Sequence, residues 1–403
     1  MELATHPYRA QIRLLLATAL VLFVFTVVIG ILNGTDIVDF DRKVLLAHVH
    51  VGTLAWITLS VFASTLWLFA DRPLEGWLGS WARVGAPVAA GTILAYDVAF
   101  LVTTGWIRPV LGGVAAAVIL VWFAWAVALA RTGPVSVPQW GLLAALATSV
   151  TGGVLGVLYG ILIASRGDAK VLPAGGEDAH PATMVVGFLV PVGLALIEWW
   201  LRPEEARKKA CRSGFWQMAL LFLGGFTLML GVLTDIVFLI MLNLPFEIIA
   251  IGIFLRRNRG SLRTVGWGEG RPSPFLAAAT VAVVWNLGML IYLLSKYADD
   301  FDAAPTRLLL ALDHTMFIGV LTNALFAQLL AATAPQRQLA AWADKAVFWL
   351  VNIGLAGFWF GLVIDEAWPK RAFTPAMGLG ILLGVGVFLA RLQADRAPEP
   401  VPA

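Results

Sequence analysis

Almost uncharged runs of about twenty apolar residues recur along the whole chain, separated by short clusters of charge, proline and glycine. The breaks divide the chain into segments near 12–32, 44–70, 83–104, 107–130, 139–164, 181–201, 214–233, 234–255, 274–295, 307–332, 343–364 and 373–391. A helix rises about 1.5 Å per residue, so each run is long enough to cross the hydrocarbon of a bilayer. The pattern predicts an all-α polytopic membrane protein, a single integral membrane domain over residues 1–403 with twelve transmembrane helices. The first run follows "HPYRAQIR" and lacks a small-residue cleavage end, so it is expected to be a retained span rather than a signal peptide.

Within this pattern "LLAHVHVGTLAWITL" stands out, because His48 and His50 open a span with no other charged residue before Asp71. The tripeptides "HVH" at 48–50, "HPA" at 180–182 and "LDH" at 312–314 recur every 132 residues, and the last two continue as "TMVVGF" and "TMFIGV". A fixed period of this kind predicts three pseudo-repeated four-helix arcs, over roughly 12–130, 139–255 and 274–391. His48, His50, His180 and His314 then all fall near one end of spans 2, 6 and 10.

Composition and charge refine the picture. Hydrophobic residues make up 60% of the chain, and the single cysteine, Cys211, excludes a disulfide framework or a cysteine-ligated cluster within it. Nineteen of the 28 Lys and Arg residues fall in the N-terminus, the even-numbered loops and the C-terminus, which predicts cytoplasmic termini in an inner membrane and histidines on the outer side. Basic residues scattered among short loops offer no nucleic-acid surface. Trp77, Trp81, Trp140, Trp199, Trp200 and Trp368 fall at span ends, as expected of an interfacial belt.

Residues two apart on a helix point about 200° from each other, so His48 and His50 each need a separate partner. A neutral imidazole in an apolar slab must bond its N–H, and its other nitrogen is then free to ligate a metal. His50 and His314 fall at similar depth on spans 2 and 10, and two facing imidazoles suit low-spin haem iron. Gly52 and Gly319 offer room beside them for a flat macrocycle. His48 and His180, at equivalent repeat positions, are candidates for a second metal site. The bland alternative is that all four only bridge helices.

Twelve spans, three arcs and histidines on spans 2, 6 and 10 resemble the catalytic subunit of haem-copper oxidases and nitric oxide reductases. "HPATMVVGFLVP" is similar to that family's opening of span 6, and "AHVHVGTLAW" is similar to openings in degenerate relatives and in the NnrS group linked to nitric oxide stress. The resemblance implies one low-spin haem b on His50 and His314, and an outer-face electron partner. The family's high-spin haem ligand corresponds to Leu312, and span 7 holds no histidine for copper, so the resemblance implies no copper centre and no terminal oxidase activity. Electron transfer, redox sensing or nitric oxide handling is the expected role.

A different class fits the other buried polar residues. Asp97 in "LAYDVAF" and Glu247 in "LPFEIIA" sit inside apolar runs, as the carboxylates of a proton-coupled secondary transporter do. Glu198 is expected at the inner interface beside Arg202, Asn286, Asn323 and Asn352 as links between helices, and His6 as a solvated tail residue.

Overall fold

Each apolar run becomes one helix. The computed structural model describes residues 3–167, 176–267, 271–297 and 303–394. The membrane helices are α1 Arg9–Gly34, α2 Arg42–Phe69, α3 Gly76–Val102, α4 Ile107–Ala130, α5 Val137–Arg166 and α6 Asp178–Leu201. They continue as α7 Arg212–Thr234, α8 Val237–Arg263, α9 Ser273–Tyr297, α10 Thr306–Ala332, α11 Ala341–Ile364 and α12 Ala367–Ala394. These twelve helices, with no strand among the described residues, make the chain an all-α polytopic membrane protein. Asp299, Asp300 and Asp302, the acidic cluster before α10, lie outside the described residues.

Local chemistry sets the ends. The Asp41 side chain accepts the Val44 N–H and starts α2, while Ser136 and Gln139 form a reciprocal capping box on α5. Asp235 and Asp365 take the left-handed conformation that aspartate tolerates, allowing tight turns between α7 and α8 and between α11 and α12.

Burial divides the helices into two classes. In α2, α6 and α10, 61%, 78% and 83% of the most apolar stretch is buried, against 28–50% in the other nine, so these three form the centre of the bundle. The first and last helices, α1 and α12, pack together. The central helices are joined by buried polar links: Trp56 Nε1 donates to Thr322 Oγ1 at 3.2 Å, and Ser64 Oγ to Gln328 Oε1 at 2.9 Å. Trp67, Trp199 and Trp200 cluster between α2 and α6, with Trp199 5% exposed, so Trp199 is a core residue and not part of the interfacial belt.

All three central helices widen into π-helical turns, at Val51–Thr58, Thr183–Leu189 and Thr315–Thr322. Their first residues are 132 residues apart and directly follow His50, Ala182 and His314. The wider turn leaves carbonyls that hydroxyl and amide side chains five residues on can reach. Thr58 donates to Thr53 O and Thr322 to Phe317 O, both at 2.9 Å, and Asn323 to Ile318 O at 3.3 Å. Gly187 and Gly225 bring the α6 and α7 backbones together where a Cβ on Gly225 has no room.

Ion pairs buried at the opposite end from the histidines tie the helices. Arg257 on α8 makes a bidentate pair with Glu198 on α6, with contacts of 2.6 and 2.9 Å, and also donates to Gln217 on α7 at 2.8 Å. Glu198 therefore joins three helices instead of reaching the interface beside Arg202. The fully buried Arg391 pairs with Asp344 at 2.7 Å and caps the carbonyls of Arg337, Leu339 and Ala340. Asn323 and Asn352 exchange amide bonds at 3.0 Å, and Asn286 donates to Leu312 O at 2.8 Å, so all three link helices.

His6 is buried rather than solvated, accepting the Tyr8 N–H at Nδ1. Burial pushes its pKa down from the usual 6.5 to about 4. Stability from the neutral ring is fully present above about pH 6.5 and is lost as pH falls toward 4, because the unfolded chain takes up the proton first. Thermal unfolding in detergent should show this acid loss, and His6→Gln should flatten it. Glu198→Ala, which strands the Arg257 guanidinium, should cost about 3–5 kcal/mol in the same assay, with Glu198→Ala/Arg257→Leu less damaging than the single change.

Candidate functional site

His48 and His50 sit on the last turn of regular α-helix before the first π-helical turn, and their opposed directions send them to different neighbours. His50 faces α6: its ring centre lies 6.2 Å from that of His180, with planes inclined by 19°. His48 turns to the other side, toward Thr26 on α1, with His314 on α10 in its wider electrostatic surroundings but not in ring contact with it. Ring contact thus brings His50 to His180, whereas among the described residues no ring contact joins His50 to His314 or His48 to His180, the combinations expected from the sequence. The reason is helix rotation, since each member of an H-x-H serves a different flank.

The two pairs are built alike. The first-position histidines bond to the preceding helix, His48 Nδ1 to Thr26 O on α1 and His180 Nδ1 to Gly152 O on α5, both at 2.8 Å. The second-position histidines bond one turn back on their own helix, His50 Nδ1 to Leu46 O and His314 Nδ1 to Leu310 O, again at 2.8 Å. A carbonyl oxygen only accepts, so every Nδ1 carries the hydrogen and every Nε2 carries a lone pair. Among the described residues no Nε2 of the four has a hydrogen-bond partner.

The packing around the rings repeats as well. A Cβ on Gly30 would lie 3.3 Å from His48 Cε1, and one on Gly156 would lie 2.9 Å from His180 Cε1, so glycine lets each first-position ring lie on its neighbour helix. Each second-position ring packs on a phenylalanine, His50 on Phe100 of α3 at 4.0 Å and His314 on Phe358 of α11 at 4.9 Å. Gly52 and Gly319, expected beside the imidazoles, instead face Thr26 and the pair Ala282 and Leu355. Two open clefts, one of about 520 Å³ lined by Trp140, Lys209 and Phe215, lie at the other end of the bundle.

The chemistry open to these pairs follows from the donor set. No group of three or more His, Cys, Asp or Glu side chains converges among the described residues. A bare ion at either pair would have two protein nitrogens, fewer than the four donors zinc ordinarily takes. A macrocycle that supplies four nitrogens needs only two axial ligands. His50 and His180, with ring centres 6.2 Å apart, would be the two protein nitrogens offered to such a group.

Asp97 is 5% exposed with neither carboxylate oxygen hydrogen-bonded, and Glu247 Oε2 and Asn243 Nδ2 are also buried without partners. Replacing an unsatisfied buried carboxyl by an apolar side chain removes a desolvation cost of about 1–3 kcal/mol. Asp97→Leu should therefore raise the thermal midpoint in detergent, whereas a hidden ion pair would make the same change destabilising.

No protein-family model matches the chain, and no curated protein matches it.

Proposed function

We propose that the chain is a membrane haem protein in which His48 and His314 provide the axial nitrogens of a low-spin haem b between α2 and α10, serving electron transfer, redox sensing or nitric oxide handling. The observation that carries this reading is the bonding of the two rings: both Nδ1 hydrogens are fixed on backbone carbonyls, leaving an unbonded Nε2 lone pair on each. The same two helices carry the low-spin ligands in the oxidase family that the sequence resembles, with His48 taking the role first expected of His50. A bound haem would supply a reversible one-electron couple. The protein's part is to hold both rings as neutral ligands and to surround the site with apolar side chains.

The Lys and Arg bias supports a multi-pass inner-membrane protein with cytoplasmic termini, which puts the histidine end, and any electron partner, on the outer face. The unpartnered Asp97 supports a second reading, proton-coupled transport, in which the histidines only brace helices.

Protein purified in mild detergent from haem-replete cells should give the sharp reduced-minus-oxidised bands of a low-spin b-type centre. His48→Ala and His314→Ala should each remove a b-type component while leaving a monodisperse protein. A colourless wild-type protein, together with proton-driven flux abolished by Asp97→Asn, would replace this reading with transport.

A further inference from the structure

The shared construction of the two pairs leads beyond one haem. A step of 132 residues relates the second-position residues His50, Ala182 and His314, and the first-position residues His48, His180 and Leu312. Between α2 and α6 the second position of one central helix, His50, meets the first position of the next, His180. By the same periodicity His314 corresponds with His48, and Ala182 with Leu312. Two of the three sequence-equivalent combinations therefore contain two histidines, and the third contains none.

We propose that His50 and His180 hold a second iron porphyrin between α2 and α6, so that the protein binds two haems. The inference rests on the haem reading above for its ligand class, but on different residues. Three observations at this pair carry it. The two rings lie with centres 6.2 Å apart and planes inclined by 19°, close enough for both imidazoles to serve one bound group. Phe100 covers one face of His50 and Gly156 seats His180, so the rings are steadied from the side while their Nε2 atoms remain unbonded. Arg108, at the start of α4, stands with its guanidinium 3.3 Å from the centre of the Phe100 ring on which His50 stacks. No carboxylate is paired with it among the described residues. A cation beside the two rings would complement the two carboxylates of a haem.

The test is the haem-to-protein ratio of the full-length protein from haem-replete cells, measured as the pyridine complex against protein by amino-acid analysis. Two haems are expected in the wild type, one in His50→Ala/His180→Ala, one in His48→Ala/His314→Ala and none in the fourfold variant. One haem that survives His50→Ala/His180→Ala and vanishes in His48→Ala/His314→Ala would overturn this inference and leave the haem reading standing. A haem-free wild type would overturn both. His180→Met guards against simple misfolding: thioether ligation should keep the second haem and raise its midpoint potential, whereas a structural histidine would give no shift in potential. Arg108→Gln should shift the potential of one of the two haems only, and a shift in neither would count against a haem beside Arg108.

Discussion

In a hydrocarbon slab no water satisfies a polar group, so each imidazole must find its hydrogen-bond partner inside the protein. Here all four histidines of the central helices meet that demand in the same way, by giving Nδ1–H to a backbone carbonyl. That bond fixes the tautomer, anchors the ring and directs the free lone pair away from the anchoring carbonyl. The same constraint explains the buried ion pairs. Glu198 with Arg257 and Asp344 with Arg391 hold the opposite end of the bundle because neither partner is tolerable alone.

The helices were legible because length and apolarity act locally. A run of about twenty apolar residues has few other outcomes, and the structure has twelve such helices. The partnering of the histidines was not legible in full. Sequence spacing said that His48 and His50 diverge, but which neighbour each meets depends on the rotation of α2 within the bundle, set by packing far along the chain. The anchors were hidden for a simpler reason. Thr26 and Gly152, like Gly30 and Gly156, are 126 residues apart, while the histidines they serve are 132 apart, because the connection before α6 is longer than that before α2. A search at one fixed period passes over them. Glu198 was placed beside Arg202 by proximity in sequence, whereas its partner Arg257 is 59 residues away, on another helix.

The π-helical turns connect fold to site. Each begins immediately after the second position on its helix, at Val51, Thr183 and Thr315, and each interrupts the regular helix bonding at the level of the histidines. Such turns concentrate at functional sites because they re-aim a helix face without breaking the helix. Their presence on α6, whose second-position residue is Ala182, indicates a property of the scaffold that all three central helices share. What differs among them is the side chains at the equivalent positions, His48 and His50 on α2, His180 and Ala182 on α6, and Leu312 and His314 on α10. On the proposed reading this protein keeps the ligands of low-spin centres and has nothing at Ala182 and Leu312 to bind oxygen on iron.

The central claim is that imidazoles of different central helices grip iron from opposite sides. Electron paramagnetic resonance of the oxidised, full-length protein from haem-replete cells tests it most directly. The account predicts ferric low-spin signals of bis-imidazole coordination that are unchanged by added cyanide or azide. A high-spin signal that shifts with those ligands, or an iron-free protein, would contradict it.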